Sequence, residues 1–90
     1  MAKTTNVLKP ILTNLAAVMA EETPYDGITV SDLRAAAEDA GILTGREKGR
    51  ELSFLGSVMK DAGLVPTPRY RRSGHKNSHG NLHRVFRAAA

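Results

Sequence analysis

Ninety residues are enough for one small core and too few for two domains, since a chain of this size buries only roughly 60–65% of the surface it exposes unfolded. The absence of cysteine excludes disulfides, thiolate zinc sites and a cysteine nucleophile; with Tyr25, Phe54, Tyr70 and Phe86 the only aromatics, the core must come from aliphatic side chains. The net charge of +4 is uneven: residues 1 to 62 carry seven Lys/Arg against nine Asp/Glu, whereas residues 63 to 90 carry six Lys/Arg and no carboxylate, a polarity that points to a polyanion at one end of the molecule.

No apolar run reaches the length of a bilayer span, and Lys9, Pro10, Thr13 and Asn14 interrupt the hydrophobic residues near the N-terminus. A soluble cytoplasmic protein, nucleoid-associated if bacterial and without a membrane partner, is therefore expected. Leu8, Ile11, Leu12, Leu15, Val18 and Met19 recur at three- and four-residue steps and predict a first helix over about 6–22 with one buried stripe. Asn6 is a suitable N-cap that would leave Pro10 in the first turn, and a start nearer Pro10 is the alternative. Thr23-Pro24-Tyr25-Asp26-Gly27 ends that helix and turns the chain. Ile28-Thr29-Val30 reads as a very short extended piece, and Ser31 as the N-cap of a second helix over about 31–41, with Asp32 in its first turn. Leu33, Ala36, Ala37 and Ala40 give that helix a narrow face for close packing. Gly41 supplies a left-handed stop and Ile42 the hydrophobic residue that follows such stops.

Thr44 and Glu47 form a capping-box pair that predicts a third helix over about 45–62. Gly45 and Gly49 weaken its first turns, so a helix that becomes regular only near Arg50 is a second possibility. Gly63 ends it, and Leu64 packs back. Pro66 and Pro68 then forbid helix, and two extended stretches, about Arg69 to Arg72 and Leu82 to Arg87, predict a hairpin over about 66–87 with a polar loop between. Leu82 and Phe86 share one face of the second stretch and Val85 the other, which requires a bulge or a half-buried second face.

On an unbroken third helix, Arg46, Arg50, Ser53, Ser57 and Lys60 fall within an arc of about 80°, opposite Leu52, Phe54, Leu55, Val58, Met59 and Ala62. Arg, Ser and Lys on one free flank are donors suited to major-groove edges and phosphates. Gly49 and Gly56 lie beside this flank and would admit a close-approaching backbone.

The order of helix, short strand, helix, turn, helix and hairpin resembles the winged helix-turn-helix superfamily over nearly the whole chain. The residues that carry the likeness run from Val30-Ser31-Asp32-Leu33, through Gly49-Arg50-Glu51-Leu52-Ser53-Phe54-Leu55 and Ala62-Gly63-Leu64-Val65, to Leu82-His83-Arg84-Val85-Phe86. The resemblance implies a mostly helical α+β fold, a three-helix core with a C-terminal β-hairpin wing, whose third helix enters the major groove of DNA while the wing lies over backbone or minor groove. It implies DNA contacts from Arg46, Lys48, Arg50, Ser53, Ser57 and Lys60, and from Arg71, Arg72, His75, Lys76 and Asn77 on the wing, with Arg69 and Arg84 adding charge to the hairpin. A Gly, Ser and Asn-rich wing loop is expected to be mobile when free and to order on DNA.

His75, His79 and His83 are spaced by four, but the Gly and Asn around them disfavour a helix, and no Cys or carboxylate stands near, so no metal is expected. Nothing accompanies Ser53 or Ser57 that would make a nucleophile, and Asp26, Asp32, Glu38 and Asp39 read as a turn residue, a helix-start charge and solvated surface, so neither catalysis nor a cofactor is expected. The function that fits is sequence-specific binding of double-stranded DNA by a small transcriptional regulator or an excision or replication-associated factor, with a phage or plasmid as one setting. A winged-helix protein-interaction module and an RNA-binding protein are the alternatives, and the first helix offers a surface for a homodimer.

Overall fold

A computed structural model describes residues 2–72 and 81–89, with side chains from Val7 onward. Three α-helices are followed by a C-terminal antiparallel hairpin: α1 (Ala2–Glu22), α2 (Val30–Asp39), α3 (Leu55–Asp61), β1 (Leu64–Arg72) and β2 (Leu82–Ala88), with a 3₁₀ turn at Gly49–Leu52. This is the mostly helical α+β order that the sequence predicts. Among the described residues, no helix is long and apolar enough to cross a membrane.

α1 starts earlier than its expected cap, so that Pro10 lies in the helix interior rather than in the first turn. Residue 10 is exposed, where water can replace the amide that proline lacks. The buried stripe is centred on Leu12, Ala16 and Ala20, each no more than 2% exposed. Ile11 and Val18, expected in that stripe, are instead about half exposed, because the 100° step carries them to the far side.

The N-cap of α2 is Thr29, not Ser31. The Thr29 hydroxyl accepts from the Asp32 amide at 3.0 Å, and the Asp32 carboxylate accepts from the Thr29 amide at 2.9 Å. That reciprocal box takes Val30 into the first turn and leaves Ile28 as the only strand-like residue of the expected extended piece. At the other end the stop predicted at Gly41 forms: Gly41 has φ +76°, the Ile42 amide donates to Ala37 O at 2.9 Å and the Gly41 amide to Glu38 O at 3.1 Å.

The third helix is shorter than its sequence pattern suggests. Glu47 does reach back to the Thr44 and Gly45 amides, at 2.9 and 3.0 Å, but Gly45 at φ +87° diverts the chain where the first helical residue would stand. The capping pair thus closes a loop instead of opening a helix. Leu43 and Leu52 still plug the core from either side of this loop, and Leu55, Val58 and Met59 bury one flank of α3 against α1 and α2.

β1 begins five residues before the predicted stretch. The two strands pair from Leu64↔Ala88 to Pro66↔Phe86 and again from Tyr70↔Arg84 to Arg72↔Leu82. Between those blocks β1 spends four steps against two on β2, and this bulge reconciles the two faces of β2. Val85 is buried, Phe86 is half-buried against the core cluster, and Leu82 is exposed. Side chains stitch the bulge: the Thr67 hydroxyl donates to Val85 O at 2.9 Å, and Arg84 donates to Thr67 O at 2.8 Å. Ile28 joins the other edge of β2 through two reciprocal bonds with Phe86, at 2.9 and 2.7 Å.

Candidate nucleic-acid interface

The residues expected to face nucleic acid come from four local settings rather than from one helical flank. Arg46 and Lys48 lie in the loop closed by Glu47, Arg50 on the 3₁₀ turn, Ser53 in the turn after it, and Ser57 and Lys60 on α3. All six are exposed. The single 80° arc is therefore replaced by exposed positions on a segment of changing geometry, interrupted by the buried Leu52, Leu55, Val58 and Met59, because no regular helix spans 45–54. Glu51, also exposed, stands next to Arg50 in this segment.

Glu47 is held locally. Partial burial pushes its carboxyl up, but the Thr44, Gly45 and Glu47 amides and the Thr44 hydroxyl outweigh this and hold its pKa below the ordinary 4.5. The loop is tied to α2 by Arg34, which donates to Glu47 O at 2.6 Å and lies 3.5 Å from Glu38. Glu38 is accordingly a largely buried ion-pair partner and not the solvated surface residue expected. Ser57 turns its hydroxyl to Phe54 O at 2.7 Å, which leaves its oxygen as an acceptor towards solvent.

On the hairpin, Arg69, Arg72 and Arg84 are exposed. Arg71 is not: it is half-buried, pairs with Asp32, and donates to Asp26 O and Gly27 O at 3.1 and 3.2 Å. Its charge braces the hairpin against the start of α2. Arg84 is partly committed as well, standing 4.7 Å from the centre of the Tyr70 ring. Tyr70, itself about half exposed, was not singled out by the sequence; the signal is the cross-strand pair with Arg84, visible only once the bulge fixes the register. His83, opposite Arg71, is half-buried, and its Nε2 has no hydrogen-bond partner among the described residues. His75, Lys76, Asn77 and His79, and with them the expected mobility of the wing loop, lie outside the described residues.

Among the described residues Arg46, Lys48, Arg50, Lys60 and Arg69 are exposed cations outside the ion pairs, whereas Lys9, Arg34 and Arg71 each meet a carboxylate. Neither strand contains Asp or Glu. Exposed cations on long side chains suit phosphate better than a buried anion, since they can follow a regular array of charges without a preformed cavity, although Glu51 and Asp61 are exposed on the same segment. Gly49 and Gly56, on the same segment, have open space where a side chain would stand. Comparison with protein-family models, with curated proteins and with solved structures finds no match.

Proposed function

We propose that this chain is a DNA-binding domain of the winged helix-turn-helix type and that double-stranded DNA is its ligand, in the setting of a small transcriptional regulator or an excision or replication-associated factor. The observation that carries the reading is the exposure of Arg46, Lys48, Arg50 and Lys60 on the segment before and within α3, together with a hairpin that holds arginines and no carboxylate. In this reading the Arg50 to Lys60 segment supplies groove contacts through Arg50, Ser53 and Ser57. Arg46, Lys48, Lys60, Arg69 and Arg72 neutralise flanking phosphates. Arg71 acts indirectly, by fixing the hairpin on the body of the domain.

Fluorescence anisotropy with a labelled duplex, titrated across salt, tests this. These five phosphate contacts give log affinity a slope of about −4.5 against log salt. Arg50→Glu and Arg69→Glu are each expected to weaken binding about tenfold or more at moderate salt while far-UV circular dichroism stays unchanged. A duplex affinity that ignores salt, or that survives both reversals, overturns the reading. A marked preference for single-stranded RNA over duplex DNA would move the ligand class instead.

A further inference from the structure

The outer half of the hairpin carries a face that leaves the core behind. Leu82, Arg84 and Phe86 alternate onto one side of β2, and Phe86, at the base, is half-buried against the core cluster. Beyond Phe86 the same side is bare. Tyr70 stands across from Arg84 and Arg72 across from Leu82, and all are exposed, Tyr70 by 52% and Leu82 by 57%. Arg71 and His83 take the opposite side, where Arg71 meets Asp32. Neither strand contains Asp or Glu. The Tyr70 ring is held in place on this face: Arg84 stands 4.7 Å from its centre and donates both to its hydroxyl and, at 2.8 Å, to Thr67 O in the bulge. An aromatic side chain fixed by a guanidinium that is itself tied to the backbone has little freedom left to lose on binding.

We propose that this face binds an unpaired DNA strand, with a base stacked on the Tyr70 ring, Leu82 beside it, and the charges of Arg72 and Arg84 towards the phosphates. The combination of groups selects that occupant. A duplex hides its base faces in its own stack, so it offers this patch phosphates but nothing for the ring. An unpaired strand alternates an open π-face with a phosphate at every nucleotide, which matches an aromatic flanked by arginines. The choice of DNA over RNA rests on the duplex reading above. The stacking itself does not, since Tyr70 and Leu82 have no part in that reading.

Fluorescence anisotropy on the full chain can compare an oligothymidylate of about ten nucleotides with an abasic strand of the same length and charge. The strand that carries bases is expected to bind about tenfold tighter. Tyr70→Ala should remove that advantage while leaving the abasic-strand and duplex affinities within about twofold, and Tyr70→Phe, which keeps the ring, should retain most of it. The chain has no Trp and a second tyrosine only at Tyr25, so in a Tyr25→Phe background the emission of Tyr70 reads the stacking directly. Oligothymidylate should quench that emission, and the abasic strand should not. Equal affinity for the two strands, a Tyr70→Ala loss as large on duplex as on oligothymidylate, unquenched emission, or tighter binding of an oligouridylate overturns the proposal. Duplex binding that fails while base-dependent strand binding persists sinks the duplex reading and not this one; the reverse result sinks this one alone.

Discussion

Gly27 occupies a place no other residue can take without displacing the hairpin. Its φ is +69°, and a Cβ there would stand 2.4 Å from Phe86 O and 2.7 Å from Val85 Cγ1. Gly41 has a similar φ of +76° but open space around it. Gly41→Ala should therefore cost only the left-handed penalty, about 1–2 kcal/mol, whereas Gly27→Ala adds overpacking and should cost about 2–4 kcal/mol. Urea unfolding of the two variants separates strain from space, and equal losses would mean that the hairpin yields. His83→Phe is expected to be neutral or stabilising by up to about 1 kcal/mol in thermal melts, because it removes a buried nitrogen that has no partner among the described residues. Glu47 gives a pH signature. Its folded pKa lies below 4.5, so the stability it contributes is fully present above that ordinary value and is lost as the pH falls through the folded one. Amide shifts of Thr44 and Gly45 should titrate in that acidic window in the parent chain and not in Glu47→Gln. Asp32 was legible in sequence as a helix-start charge. Its partner Arg71 was not, because a pair 39 residues apart depends on how the hairpin lands.

The elements that follow one rule are the ones the sequence predicts well. α1 and α2 are each written by a repeating apolar face, and the Gly41 and Gly63 stops by glycines with no competing local signal. Where two signals compete, pattern alone cannot decide. Thr44 and Glu47 spell a helix start, yet Gly45 has access to a backbone region closed to other residues and takes it. The stripe from Arg46 to Lys60 was an inference from a helix that is regular only from Leu55. Its residues are all exposed, but periodicity misjudged their arrangement. The start of α2 shows the same limit on a smaller scale, since Thr29 and Ser31 are both good caps and the Asp three residues after Thr29 decides between them. Thr29→Ala should cost about 1 kcal/mol or more, given that its hydroxyl caps the helix while fully buried. A negligible loss in chemical unfolding would mean that the Asp32 half of the box suffices alone.

For the whole molecule, charge separation and topology act together. The acidic majority lies in the first two thirds of the sequence, and the chain returns through a cationic hairpin whose β2 runs between β1 and Ile28. The position of Phe86 in that arrangement has a further effect. Its amide and carbonyl are both engaged by Ile28, so they point away from β1. Pro66, directly opposite, is then a residue whose own main-chain groups face outward, along the unoccupied side of β1. Proline there sacrifices no bond within the hairpin and removes a donor from the one margin on which a foreign strand could dock. Replacing Pro66 with Val should leave the melting temperature nearly unchanged but make light scattering rise with concentration. On that outcome Pro66 guards against unwanted polymerisation, a safeguard whose loss would be felt in solubility before it was felt in folding.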